Sequence, residues 1–439
     1  MKMLNKNNHY YFIGIKGSGM SALALILNDL GYHVSGSDIT EYTFTQKGLE
    51  DRQIEMLPFS EDNIKPGLSI IAGNAFSDDH MEIKKAHELG LKVVRYHDFV
   101  GQLIKSFTSI AIAGAHGKTS TTGLMAHVLG GIEPTSYLIG DGTGKAVKDS
   151  RFFAFEADEY QRHFIAYSPD YCVMTNIEFD HPDYFKDLDD VYDAFQQEAS
   201  QVKKALFVYG DSKLLKSLKV DIPKYTYGFN KDDDFCATNI EKTAEGSSFD
   251  VNHHGKKLGR FMIKLYGDHS ILNSLAVIGV SYMEGLDMAT VAEELLTFKG
   301  VQRRLAESKV KDMTIIDDYA HHPTEIDATI SAVRQKYPEK EVIAVFQPHT
   351  YTRTKQFLSE FAKSLQEADH VFVTPIFGSA REQKGTVKSE DLIKKIEGSA
   401  HLITEETVDQ LNQFSNAVLV FMGAGDVQKY ERAYQKQYK

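Results

Sequence analysis

Residues 109–122 read Ser109-Ile110-Ala111-Ile112-Ala113-Gly114-Ala115-His116-Gly117-Lys118-Thr119-Ser120-Thr121-Thr122. A short apolar strand runs into a glycine turn, and the turn opens a helix that reaches about Leu129. Glycines permit the tight turn, and backbone N–H groups at a helix N-terminus point at a bound anion. Lys118 can neutralise terminal phosphates, and the Thr119 hydroxyl can ligate Mg2+. The motif is a shortened phosphate loop, Gly-x-x-Gly-Lys-Thr, because the first glycine of the longer form would fall at Ile112, inside the strand. The loop is expected to hold ATP or GTP on Gly114, Ala115, His116, Gly117, Lys118, Thr119 and Ser120. The alternative is a surface turn with an incidental lysine.

Working outward, the same strand–turn–helix opening recurs. Upstream, Tyr10 to Ile15 is an apolar strand, Met20 to Leu30 a helix that stops at Gly31, and His33 to Asp38 a second strand. Further strands are expected at Ser69 to Gly73 and Lys92 to Tyr96. Downstream, Phe152 to Phe155, Tyr171 to Thr175 and Ala205 to Tyr209 continue the middle segment, and a helix runs from about Ser270 to Met283. Tyr225 to Leu265 alternates and is rich in turns, so an antiparallel insertion is expected there. A third set of strands lies at Met313 to Asp317, Glu341 to Phe346, His370 to Thr374 and Ala417 to Met422. Alternation of this kind implies α/β architecture with mainly parallel sheets. The expected divisions are 1–105, 106–305 and 306–439, in keeping with the roughly 150 residues of an ordinary domain.

Carboxylates gather after two of the middle strands. Glu156 ends the strand at Phe155 and is placed to face the phosphate loop, since ligands collect beyond the carboxyl ends of such strands. Asn176, Glu178, Asp180 and His181 follow the next strand. Mg2+ prefers oxygen ligands, so His181 reads on spacing alone either as a metal ligand or as a hydrogen-bonded loop histidine. In the first segment, Gly14-Ile15-Lys16-Gly17-Ser18-Gly19 approaches a dinucleotide fingerprint, but Lys16 replaces its second glycine. Asp38 stands where a ribose-binding acid often sits. The turn suits NAD or another diphosphate, such as that of a nucleotide sugar.

Composition narrows the partners. The chain has 439 residues, 42% hydrophobic and 25% charged, with 49 basic against 61 acidic side chains and a net charge of −12. That balance argues against a nucleic-acid binder, so anionic ligands must be held by local donors. Cys172 and Cys236, the two cysteines, form no metal-type pair and are expected as reduced thiols. No run approaches the ~18 apolar residues that span a bilayer, and no secretory signal is visible, so no membrane insertion is expected and a cytoplasmic protein is.

With these motifs in place, the chain resembles the Mur ligases. The resemblance runs through Phe12 to Ser21, Ser35 to Asp38, Gly114 to Thr122, Glu156 to Glu159, Thr175 to Glu178 with Asp180-His181, Phe298 to Arg304, Asp317 to Glu325, Phe346 to Arg353 and Met422 to Asp426. It implies a Rossmann-like N-terminal domain for a UDP-sugar, a central ATPase domain and a Rossmann-like C-terminal domain that closes the site. Within the family, the motifs resemble the branch that joins L-alanine to UDP-N-acetylmuramate, using ATP and Mg2+ through an acyl phosphate. A monomer or weak homodimer is expected.

Carried onto this chain, the resemblance implies a UDP-sugar on Gly14, Lys16, Gly17, Ser18, Gly19, Ser37 and Asp38. It implies metal on Thr119, Glu156 and His181, and nucleotide contacts from His269, Asn273 and Arg304. Lys118, Glu156, His181, His321 and Arg353 would be catalytic, with Tyr319 beside the substrate. Ser270 and Thr350 depart from the family's usual Asn and Arg.

Overall fold

The computed structural model describes residues 8–378, 382 and 384–438. The polar start at residues 1–7, where a secretory signal would begin, lies outside them. Strands β1 His9–Ile13, β2 His33–Asp38, β3 Glu55–Pro58, β4 Leu68–Ala72 and β5 Val93–Arg95 form one sheet in the order β3-β2-β1-β4-β5. All of its pairings are parallel. The strand order reverses between β1 and β4, and an open parallel sheet offers its ligand crevice at such a reversal. The Gly14 turn lies there, between β1 and the helix Ser18–Asp29.

The middle sheet comprises β6 Thr108–Ala113, β7 Thr135–Leu138, β8 Gly144–Lys145, β9 Phe152–Glu156, β10 Tyr171–Met174, β11 Ala205–Tyr209, β12 Lys224–Gly228, β13 Phe235–Thr243, β14 Gly246–His253 and β15 Lys256–Ile263. Its order is β15-β14-β13-β12-β11-β10-β6-β9-β7-β8. The phosphate-loop strand β6 is therefore flanked by β10 and β9, and all three are parallel. The loops after these strands converge on one edge, which gathers residues 114–119, 156–159 and 175–181. The antiparallel insertion is present but starts later than Tyr225. β12 and β13 extend the parallel ladder, and the antiparallel pairings are β13–β14 and β14–β15 here and β7–β8 at the other edge of the sheet.

The third sheet holds β16 Ala306–Val310, β17 Met313–Asp318, β18 Val342–Phe346, β19 His370–Val373, β20 Ala400–Leu402 and β21 Val418–Met422, in the order β16-β17-β21-β18-β19-β20. Only the edge strand β16 is antiparallel.

Alternation along β6 shows how the middle sheet is covered. Ile110 and Ile112 pack with Leu124, Leu129, Leu275 and Ile278 of two helices, Lys118–Ile132 and Asp268–Met283. Ala111 and Ala113 face the other way, into a core that continues through Phe155 and Phe153 to Leu23, Ile26 and Phe99 of the first domain. The first two domains thus share apolar packing. Cys172 and Cys236 are free and buried. Among the described residues, no helix is long and apolar enough to cross a membrane.

Candidate active site

The phosphate loop is held from β10. Gly114 and Gly117 have φ of +144° and +81°, a region L side chains rarely adopt, and a Cβ at Gly114 would lie 2.0 Å from Thr175 Oγ1. The Thr175 hydroxyl donates to His116 O at 2.6 Å. The Asn176 amide brackets the same residue, accepting from His116 N and donating to His116 O, both at 3.0 Å. Neither Thr175 nor Asn176 was expected to have this role from the sequence. Their position immediately after a strand adjoining β6 was the available signal.

Lys118 opens the helix, and its ammonium donates to Gly114 O at 2.6 Å and to Glu159 Oε2 at 2.7 Å. Burial alone would lower its pKa, but Glu159 and Asp158 outweigh burial and raise it. Lys118 is therefore a fixed cation beside the loop. Glu156 does face the loop: it accepts from Gly140 N at 2.6 Å and lies beside the Thr119 hydroxyl. Burial raises its pKa, against the pull of Gly140 N–H and Lys118. His181, with φ +54°, brings Nε2 to 3.7 Å from Glu159 Oε1, a buried oxygen with no hydrogen-bond partner. A hydroxyl, clustered carboxylates, an orphaned carboxylate oxygen and an imidazole form a donor set that fits a hard divalent cation such as Mg2+.

A cavity of about 360 Å³ adjoins the loop, between the middle and third domains. That volume lies in the range of small-molecule sites. His116, Gly117, Ser120, His269, Asn273 and Arg304 all reach it. His269 and Asn273 stand one turn apart on the helix Asp268–Met283, and burial pushes the His269 pKa down to about 4, so its ring is neutral near pH 7.

Three of the expected first-domain residues have partners within the domain itself. The Ser37 hydroxyl is fully buried and donates to Glu82 Oε2 at 2.5 Å, while its carbonyl accepts from Gly14 and Ile15 N–H. The Asp38 carboxylate accepts from Lys16 N at 2.6 Å and Ile39 N at 2.8 Å. Lys16 Nζ is spent on Ile39 O and Glu41 O. These side chains build the turn because its polar backbone groups would otherwise be buried without partners. What remains turned outward is Gly17, Ser18 and Gly19 at the helix start.

From the third domain, Tyr319 lies under Arg303 and Arg304, with guanidinium carbons 4.7 and 5.2 Å from its ring centre. His321 Nδ1 is 3.0 Å from both Tyr319 O and Glu325 Oε2. Arg353, expected as a catalytic residue, forms a buried tie between the middle and third domains. It donates three hydrogen bonds to Asp180, at 2.8–3.1 Å, and both side chains are buried. A buried carboxylate needs such a partner, and Arg353 holds the Asp180 pKa well below the usual range against its burial. Asp180 Oδ1 also accepts from His181 N at 2.7 Å, so Arg353 acts through the residue that sets the His181 backbone.

Sequence reasoning did not foresee a second contact between the same domains. His116 lies between Glu178 and Glu325, 3.5 Å from each, with its ring 4.4 Å from that of His322. Burial would lower its pKa, but the two carboxylates raise it to about 10.

Known relatives match nearly the full length of the chain. Residues 9–108 match the Mur ligase family catalytic domain, 112–281 the Mur ligase middle domain, and 303–427 the Mur ligase glutamate ligase domain. The UDP-N-acetylmuramate–L-alanine ligase of Lactiplantibacillus plantarum is 61% identical over 99% of this chain and 100% of its own. That of Lacticaseibacillus paracasei is 60% identical over 97% and 98%. The crystal structure of a UDP-N-acetylmuramate-alanine ligase from Thermotoga maritima superposes with a TM-score of 0.82, at 27% identity over 98% of this chain and 99% of that one. Sheet orders, loop geometry and full-length similarity agree, and the chain belongs to the Mur ligase family.

Proposed function

We propose that the protein is an ATP-dependent ligase that joins L-alanine to the carboxylate of UDP-N-acetylmuramate, a step of peptidoglycan precursor synthesis. Full-length similarity to enzymes of that name carries the assignment. A carboxylate is a poor electrophile until one oxygen becomes a leaving group. In this reaction it attacks the terminal phosphorus of ATP, ADP departs, and an acyl phosphate forms. The amine of L-alanine then attacks the acyl carbon, loses a proton, and expels phosphate.

Each domain supplies one part. Gly14 and Gly17 shape the turn, and Ser18 and Gly19 at the helix start present backbone N–H groups to the diphosphate of the UDP-sugar. Gly114 to Ser120 wrap the phosphates of ATP, and Lys118 leaves Glu159 for the transferring phosphoryl oxygens. His269, Asn273 and Arg304 hold the rest of the nucleotide in the adjoining cavity. Thr119, Glu156 and His181 would hold Mg2+, which supplies positive charge to phosphoryl oxygens. Tyr319 and His321 line the amino-acid side. With the His321 Nδ1 proton held by Glu325, Nε2 is left to accept a proton from the amine.

Phosphate release from purified enzyme tests the assignment. Release with ATP and UDP-N-acetylmuramate should require L-alanine, with glycine and L-serine poorer. Release with a tripeptide but not with L-alanine would overturn it, as would ATP binding without amino-acid-dependent turnover.

A further inference from the structure

We propose that His116, Glu178 and His322 form a second cation site, of zinc type, separate from the Thr119–Glu156–His181 set and bridging the middle and third domains. One nitrogen or oxygen from each of the three lies within 4.8 Å of the others. His116 Nε2 is 3.5 Å and His322 Nδ1 3.7 Å from Glu178 Oε2. A tetrahedral zinc with bonds of about 2.0–2.1 Å sets its ligands about 3.3–3.4 Å apart, so small side-chain shifts close the site.

Both histidines are more than nine-tenths buried, at 7% and 5% exposure; neither His322 ring nitrogen has a hydrogen-bond partner, and those of His116 meet only the Glu178 and Glu325 carboxylates, at 3.5 Å. Buried imidazole nitrogens are seldom left so. The surroundings also suit a metal. Glu325 Oε1 stands 3.5 Å from His116 Nδ1, where a carboxylate orients a metal-bound imidazole through its other nitrogen. Thr324 Oγ1 donates to Glu178 Oε2 at 2.8 Å and fixes that carboxylate. His116 and Glu178 line the cavity, so a fourth ligand position faces space that a water can fill. Two imidazoles and one carboxylate favour Zn2+ over Mg2+, which prefers oxygen.

The bound cation would tie His116 of the phosphate loop to His322 at the start of the helix Pro323–Lys336, holding the third domain shut.

Equilibrium dialysis of the full chain against Zn2+, with elemental analysis, tests the site. Wild type and Glu156→Gln should each retain about one Zn2+ per chain. His322→Gln and Glu178→Gln should each bind at least tenfold more weakly. Melting curves identify a variant that has lost its fold, and the other variant then decides. Absence of stoichiometric Zn2+ in the wild type would overturn the proposal. Loss in Glu156→Gln with retention in His322→Gln would overturn it too, by assigning the cation to the phosphate site.

Discussion

Glu198 carries a fully buried carboxyl, and neither of its oxygens has a hydrogen-bond partner. Burial alone raises its pKa well above the ordinary carboxylate value. The folded chain therefore keeps the proton to higher pH than the unfolded chain does. Stability is lost as pH rises past the unfolded value of 4.5 toward the folded one. Glu198→Met removes an unsatisfied polar group worth about 1–3 kcal/mol, so it should raise the melting temperature, and by more at pH 8 than at pH 5. Equal gains at both pH values, or a loss at pH 8, would contradict a protonated buried acid. Lys118 is the opposite case, a half-buried charge with its partners in place. Lys118→Ala should lower the rate of ligation roughly a hundredfold or more, as losing an electrostatic donor at a reacting group does. UDP-sugar affinity by calorimetry should stay within about twofold, because the Gly14 turn lies on another sheet; a large loss would refute that division of labour.

Whole elements were more legible than the contacts between them. The buried runs at Ile110, Val173, Leu206, Ile343 and Val420 showed the strands, since a parallel strand covered on both faces is apolar throughout. Gly114 and Gly117 showed the loop for the same kind of local reason. The part Lys16 and Asp38 play within the turn was not legible, because a turn that satisfies its own backbone uses the same residue types as one that binds a phosphate. Asp180 and Arg353 stand 173 residues apart, and no local pattern pairs them. Gly144 was silent for a similar reason. Strand β8 lies so close to the helix Ser18–Asp29 that a Cβ there would sit 2.1 Å from Ala22 O. Gly144→Val must push the strand off the helix and disturb the packing between the first two domains. Overpacking of this kind costs about 1–3 kcal/mol, so urea denaturation should show a lower midpoint. An unchanged midpoint would mean that the two domains do not depend on this approach.

At the scale of the molecule, the third domain is held against the second by polar contacts. Arg353 binds Asp180, Thr324 donates to Glu178, and Gln335 accepts from Gly267 N while donating to Thr243 O and Gly246 O. Polar domain interfaces favour relative motion, and a site drawn from three domains needs it for substrates to enter and products to leave. Arg353 is the strongest of these ties because its partner is buried. Arg353→Ala would leave the Asp180 charge without its partner, a cost of about 3–5 kcal/mol if the domains stayed closed. Opening lets water reach Asp180 and avoids most of that cost, so the expected outcome is a more open molecule, not an unfolded one. Small-angle scattering should show a larger radius of gyration for Arg353→Ala than for wild type. Adding Asp180→Asn should reverse part of the increase, since no unpaired charge then resists closure. Turnover should fall more than ATP binding, because the phosphate loop remains whole while His181, whose N–H rests on Asp180, loses its setting. Scattering identical to wild type, with turnover and ATP affinity lost in equal measure, would show that Arg353 meets the nucleotide directly and does not hold the domains together.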